Sequence, residues 1–153
     1  MRLAKHLYDE MKRHALATFP EECCGFILYD PEQDCELVRR IRNVATERHQ
    51  ADPAAFPRDG REGYLMDEKE LLEVQRALDE QALELRAIYH SHPNGKAYFS
   101  KEDEARAKIW DEPIFPEAYY IVLGTDGRSV TGMTAHLWNE ERREFEDVRI
   151  VRS

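Results

Sequence analysis

The stretch "AIYHSHPNGKAYFSKED", residues 87–103, passes from strand to helix in seventeen positions. Its start reads as a strand, and strand residues two apart share a face. His90 and His92 therefore project side by side, with Ile88 beneath them. Pro93 has no amide proton to extend a ladder and holds His92 extended. Asn94-Gly95 is a turn signal. The chain then folds back, so that Ser100 caps a helix and Asp103 is its third residue. Ser-x-x-Asp is close to a capping box, which stabilises a helix by about 1 kcal/mol with no ligand. Taken singly, the histidine pair and the cap have structural explanations. Taken together, they bring two imidazoles, a hydroxyl and a carboxylate to one place.

Working outward, Leu3, Leu7, Met11 and Ala15 recur at four-residue steps and predict an amphipathic helix over 2–18, ended by Pro20. "CCGFILY" (23–29) is a strand, "DPEQD" (30–34) a turn, and "CELVRRIRNV" (35–44) the hairpin partner. Prolines, glycines and polar residues from Ala45 to Gly63 predict a long loop, either a wall of a substrate groove or a passive connection. Asp67 caps a second helix whose stripe Leu71, Val74, Leu78 and Ala82 faces the core. A third helix runs from Ser100 to about Trp110, closed by Pro113. "AYYIVLG" (118–124), "VTGMTAHLWN" (130–139) and "EFEDVRIVRS" (144–153) read as three more strands, the first two joined by "TDGR". Mixed elements with hairpin-like turns predict an α/β sheet packed by helices, with much antiparallel pairing.

The 153 residues are expected to form one domain, 1–153. A net charge of −9 argues against a nucleic-acid partner, because phosphate contacts want a basic face. Arg39, Arg40 and Arg42 read as a solvated strand edge. No run reaches membrane-spanning length, and "MRLAKHLYDEMKRHAL" has no continuous apolar core of a signal peptide. An odd set of three cysteines suits a reducing cytoplasm better than a disulfide framework. Cys23, Cys24 and Cys35 read as small core residues, and Trp110 and Trp138 as core or rim aromatics. His6, His14, His49 and His136 lack partners at ligand spacing and read as surface or satisfied core residues. Tyr98 and Phe99 either touch a substrate or pin their loop.

Two imidazole nitrogens and a carboxylate oxygen are a recognised zinc set, and three protein ligands leave a fourth place for water. Such a site also needs a proton acceptor, which spacing alone does not pick out among so many acidic residues. Ser100 has a hydroxyl that can donate to an oxyanion.

The stretch resembles the JAMM (MPN+) metallopeptidase signature, His-x-His-Pro, six residues, then Ser-x-x-Asp. The match runs through His90, His92, Pro93, Ser100 and Asp103. That family carries an upstream glutamate at the start of its first strand, before a small-residue and glycine turn. "FPEECCGFILYD" (19–30) looks like that segment, with Glu22 aligned and Glu21 next to it. The resemblance implies a three-layer α-β-α sandwich, cytidine-deaminase-like, with a mixed sheet. It implies one Zn2+ held by His90, His92 and Asp103, Glu22 as general base and acid, and Ser100 as oxyanion stabiliser. The reaction would be hydrolysis of a peptide or isopeptide bond. The chain looks most like the compact bacterial branch, whose members cut after the C-terminal Gly-Gly of ubiquitin-like sulfur carriers. Two other readings stand beside this one. A non-catalytic protein-binding module on the same fold would lack the ligands that are present here. A DNA-repair role, suggested by a bacterial group with a similar string, sits poorly with the acidity.

Overall fold

The alternating apolar runs of the sequence build one twisted sheet, and the helical stripes cover its two faces. The computed structural model describes residues 1–153. In chain order the elements are β1 (Arg2–Leu3), α1 (Lys5–Thr18), β2 (Cys24–Asp30), β3 (Cys35–Ile41), α2 (Ala45–Ala51) and α3 (Glu68–Asp79). β4 (Glu84–His92), α4 (Lys101–Arg106), β5 (Lys108–Ile109), β6 (Glu112–Pro113), β7 (Tyr119–Thr125), β8 (Val130–Asn139), β9 (Glu144–Val148) and β10 (Val151–Arg152) complete the chain.

The six-stranded sheet has the order β3-β2-β4-β7-β8-β9. Only β4 and β7 run parallel; their neighbours pair antiparallel. A parallel pair cannot close with a tight turn and needs a long crossover. Here the crossover carries α4 and the small β5–β6 hairpin. One face of the sheet packs against α1 through Leu7, Met11, Ala15, Ile27, Tyr89, Ile121 and Leu123, all essentially buried. Side chains of this size each stabilise the fold by about 1.5–3 kcal/mol on full burial. The other face gathers Cys24, Phe26, Leu28, Ile88 and Tyr120 under Val74 of α3 and Ala107 after α4. Helices on both sides of a mixed sheet make the three expected layers.

Several expectations change. The region after Ala45 is not all loop: α2 forms there, because Asn43 Oδ1 accepts the Ala45 N–H and Glu47 and Arg48 suit opposite ends of the helix. The helix predicted to reach Trp110 stops at Arg106. A two-residue turn at Trp110 and Asp111, with φ of 53° and 64°, starts a hairpin instead. Trp110 stands at its tip, 94% exposed, and not in the core, whereas Trp138 is buried. The stripe of α3 is narrower than predicted, since Val74 is buried but Leu71 is 39% exposed and Ala82 lies beyond the helix. The last predicted strand breaks in two, β9 joining the sheet and β10 pairing parallel with β1. Cys35 is exposed at the start of β3, unlike Cys23 and Cys24. Arg39 and Arg40 are half-exposed and pair with Glu73 and Glu10.

Candidate metal centre

β4 places His90 and His92 on the face of Ile88, at the strand's C-terminal end, and both are buried. Pairing with β7 continues to His92 opposite Gly124, so the two imidazoles are rooted in the middle of the sheet. Ser100 and Asp103 form a reciprocal cap at the head of α4. Ser100 Oγ accepts the Asp103 N–H at 3.1 Å, and Asp103 Oδ2 accepts the Ser100 N–H at 3.0 Å. The capping box fixes the carboxylate as well as the helix. It aims Asp103 Oδ2 at His90 Nε2 (3.2 Å) and His92 Nε2 (3.3 Å), while the two Nε2 atoms stand 3.2 Å apart.

This triangle suits a small cation. His92 Nδ1 donates to the Lys96 carbonyl at 3.0 Å, which leaves the Nε2 lone pair facing inward. Burial alone would raise the Asp103 carboxyl, but the two imidazoles and the Ser100 N–H beside it outweigh burial and hold Asp103 well below the carboxylate range; burial would lower His92, but Asp103 and Glu22 outweigh it and raise His92 in return. Burial lowers His90. With both Nε2 atoms deprotonated, as a bound cation requires, electron pairs of His90, His92 and Asp103 would meet at one point. A tetrahedral ion with bonds of about 2.0–2.1 Å has ligands roughly 3.3–3.4 Å apart, close to the edges found here. The residues fit zinc by donor type and by spacing.

Glu22 lies two residues before Cys24, which pairs with His90 across β2 and β4. It is 5% exposed, and its carboxylate oxygen and both imidazoles offer ligand atoms within 4.8 Å of one another. Burial pushes its carboxyl up to about 8, with His92, Arg106 and Arg58 pulling partly back. Such a group exchanges protons readily near neutral pH. Glu21 points elsewhere and accepts from Thr46 Oγ1 at 2.9 Å. Glu22, His92, Tyr98, Ser100 and Asp103 share a cavity of about 490 Å³ whose opposite wall is Arg58 to Gly63. A larger groove of about 720 Å³ lies at the other end of β4, beside Leu83 and Phe115, away from the imidazoles.

Three residues were not picked out from the sequence. Tyr64 lies 4.8 Å from His90, ring to ring, and the Arg106 guanidinium lies 4.9 Å from the centre of the Tyr64 ring. Asn43 clasps the wall: its amide donates to the Glu22 and Gly63 carbonyls, and its oxygen accepts from Ala45 and Leu65. A lone polar residue at a strand end gives no sequence signal of such a role. The other histidines are satisfied away from the cavity: His6 by the Glu36 carbonyl, His14 by Tyr89, His49 by the Phe56 carbonyl, His136 by Thr134 and Asp147. Tyr98 and Phe99 divide the two roles left open. Tyr98 faces His92 at 4.9 Å and is 47% exposed, whereas Phe99 is pinned among Tyr120, His136 and Phe145.

Comparison with known proteins agrees with this architecture. The profile described as prokaryotic homologs of the JAB domain matches residues 4–141. A Thermus thermophilus protein named "Probable TtuB-protein conjugate cleaving protease" is 35% identical over 121 residues, 79% of this chain and 68% of that one. A CysO-cysteine peptidase of Mycobacterium bovis is 32% identical over 119 residues, 78% of this chain and 69% of the relative. A JAB1/MPN domain protein from Archaeoglobus fulgidus superposes with a TM-score of 0.53 at 13% identity, covering 100% of this chain and 97% of that one.

Proposed function

This chain belongs to the prokaryotic JAB-domain family, and on that premise we propose that it is a zinc-dependent peptidase of ubiquitin-like conjugates. The observation that carries the proposal is the triangle of His90 Nε2, His92 Nε2 and Asp103 Oδ2 beside a buried Glu22. In this reading His90, His92 and Asp103 hold one Zn2+ ion. When bound, zinc supplies a Lewis acid and lowers the pKa of water to about 7. Glu22 takes the proton from the attacking water and passes it to the leaving amine, a service typically worth about 10²–10⁴-fold. Ser100 Oγ accepts the Asp103 N–H and keeps its own proton, which it donates to the oxyanion. Tyr64 and the Lys96 carbonyl orient the two imidazoles.

The substrate we propose is a ubiquitin-like sulfur carrier extended beyond its C-terminal Gly-Gly. Two relatives named for cleaving TtuB and CysO conjugates support that class. We read residues 1–153 as one domain and its setting as the cytoplasm, in keeping with three free thiols. No helix is long and apolar enough to cross a membrane.

The test pairs metal content with the mass of an extended carrier after incubation. Glu22→Gln should keep zinc and lose cleavage by at least about 10²-fold. His90→Ala should lose zinc. Normal cleavage by Glu22→Gln would remove Glu22 from its role. Zinc without any cleavage by the wild type would make the chain a binding module.

A further inference from the structure

We infer that Arg61, on one wall of the cavity, and Lys101, on the other, hold the terminal carboxylate of the segment that the reaction releases. The inference rests on the peptidase reading and names the leaving group that its site takes. Four cations line the cavity, Arg58, Arg61, Lys101 and Arg106, in a chain whose net charge is −9. Two of them are tied into the fold. Arg58 pairs with Glu102, and Arg106 donates to the Tyr64 carbonyl and lies over the Tyr64 ring. Arg61 and Lys101 are exposed and enter no ion pair; the one polar contact of Arg61 is its backbone N–H on Asp59.

The acids of the cavity do not neutralise this pair. Glu22 and Asp103 stand against the imidazoles, and Glu102 is taken by Arg58. Glu62 alone is left to face two uncommitted cations. A concave site with surplus positive charge draws an anionic guest.

Position decides which anion. The cations share their cavity with His92, Ser100 and Asp103, so the guest belongs to the peptide being cut. A cavity of about 490 Å³ spans roughly 10 Å, about three residues of extended chain at 3.3–3.6 Å each. With the Gly-Gly end of the carrier partly inside, the leaving segment is one residue or two, and it ends in a carboxylate. Hydrolysis adds water across the amide: the glycine carbonyl carbon gains the hydroxyl, the C–N bond breaks, and the nitrogen leaves as the protonated amine of a free amino acid or dipeptide. An arginine fork grips a carboxylate through two parallel N–H bonds, and an ammonium adds a point charge. A protein joined through a lysine side chain has no carboxylate at that distance. The two cations therefore favour a short C-terminal extension over a protein conjugate.

The test uses synthetic peptides ending in Gly-Gly-Ala, with the C-terminus free or amidated. Wild type should cleave the free acid with a kcat/KM at least about tenfold above that of the amide. A free acid with five residues after Gly-Gly should behave like the amide, because its carboxylate lies beyond the cavity. Combining Arg61→Gln with Lys101→Gln should bring the ratio of short acid to amide near one. Equal rates for acid and amide overturn the inference. So does a preference that survives both substitutions or extends to the long acid. A second measurement needs no turnover. By calorimetry, Glu22→Gln protein should bind the short acid at least about tenfold more tightly than its amide, and adding the two cation substitutions should abolish the difference. That difference without wild-type cleavage would sink the peptidase reading and leave the carboxylate site standing. Cleavage that ignores the terminus would do the reverse.

Discussion

At the scale of single residues, Ser100 combines two duties that substitution can separate. It caps α4 and, as proposed, carries the proton that meets the oxyanion. Ser100→Ala is expected to lower stability by about 1 kcal/mol and cleavage by roughly 10²–10³-fold. Ser100→Gly keeps most of the cap energy at an N-cap but has no donor. Its melting curve should stay near wild type while its cleavage rate falls as far as that of Ser100→Ala; equal rates for Gly and Ser would show that the hydroxyl only caps. Asn43 is the other informative residue. Asn43→Leu leaves two backbone N–H groups and two carbonyls without their partner, so urea unfolding should show a loss of about 1–3 kcal/mol. Because one of those carbonyls belongs to Glu22, cleavage should fall more than binding of zinc. Which of Glu21 and Glu22 stands beside the imidazoles was legible in principle. Glu22 shares the parity of Cys24, Phe26 and Leu28, the face that also holds Ile88 and the imidazoles, and Glu21 does not.

At the scale of elements, the sequence spoke clearly wherever periodicity was long. α1 and the central strands each repeat their apolar spacing over seven or more residues, and tertiary packing then reinforces the local preference. α2 was invisible because seven residues bury only Ala45 and its cap comes from a side chain two positions earlier. The overlong third helix failed for the opposite reason: the text after Arg106 remains compatible with a helix, but the hairpin closed by the left-handed turn at Trp110 and Asp111 takes Lys108 and Ile109 into β5 instead. That turn yields a prediction. Positive φ at both central residues of a two-residue hairpin loop favours Asn-Gly, and Trp and Asp adopt it at a cost. Trp110→Asn with Asp111→Gly should therefore raise stability by about 1 kcal/mol, or Tm by roughly 2–4 °C, in a thermal scan. A lower Tm would mean that the exposed indole contributes packing that its 94% exposure denies. The convergence of His90, His92 and Asp103 belongs to this scale too. The motif supplied the residues, but the closing of the triangle depends on β4, its turn and α4 meeting at the right angle.

At the scale of the whole molecule, two buried groups make stability depend on pH in opposite senses. Burial lowers His14, which meets Tyr89 and feels Arg40 and Glu10, from 6.5 to about 4. Below pH 6.5 the unfolded chain takes up a proton that the folded chain refuses, so stability from this group is full above 6.5 and drains away toward pH 4, by at most about 3 kcal/mol. Glu22, raised from 4.5 to about 8, stabilises the metal-free fold below pH 4.5 and loses that contribution as pH rises through 8. His14→Gln should flatten the acid limb of a stability profile, and Glu22→Gln the limb from 4.5 to 8; a profile unchanged by either would refute the assignment. The thiols have a practical consequence of their own. Cys23 and Cys24 are sealed in the sheet, and burial pushes the Cys23 thiol up to about 12, while Cys35 lies open at the hairpin end of β3. From Cys24, beside the imidazoles, to Asp30, which faces Cys35, β2 runs for six steps, about 20 Å. A maleimide dye would therefore mark each native chain once, at a remote and harmless spot, and fluorescence could follow carrier encounters without engineering a handle.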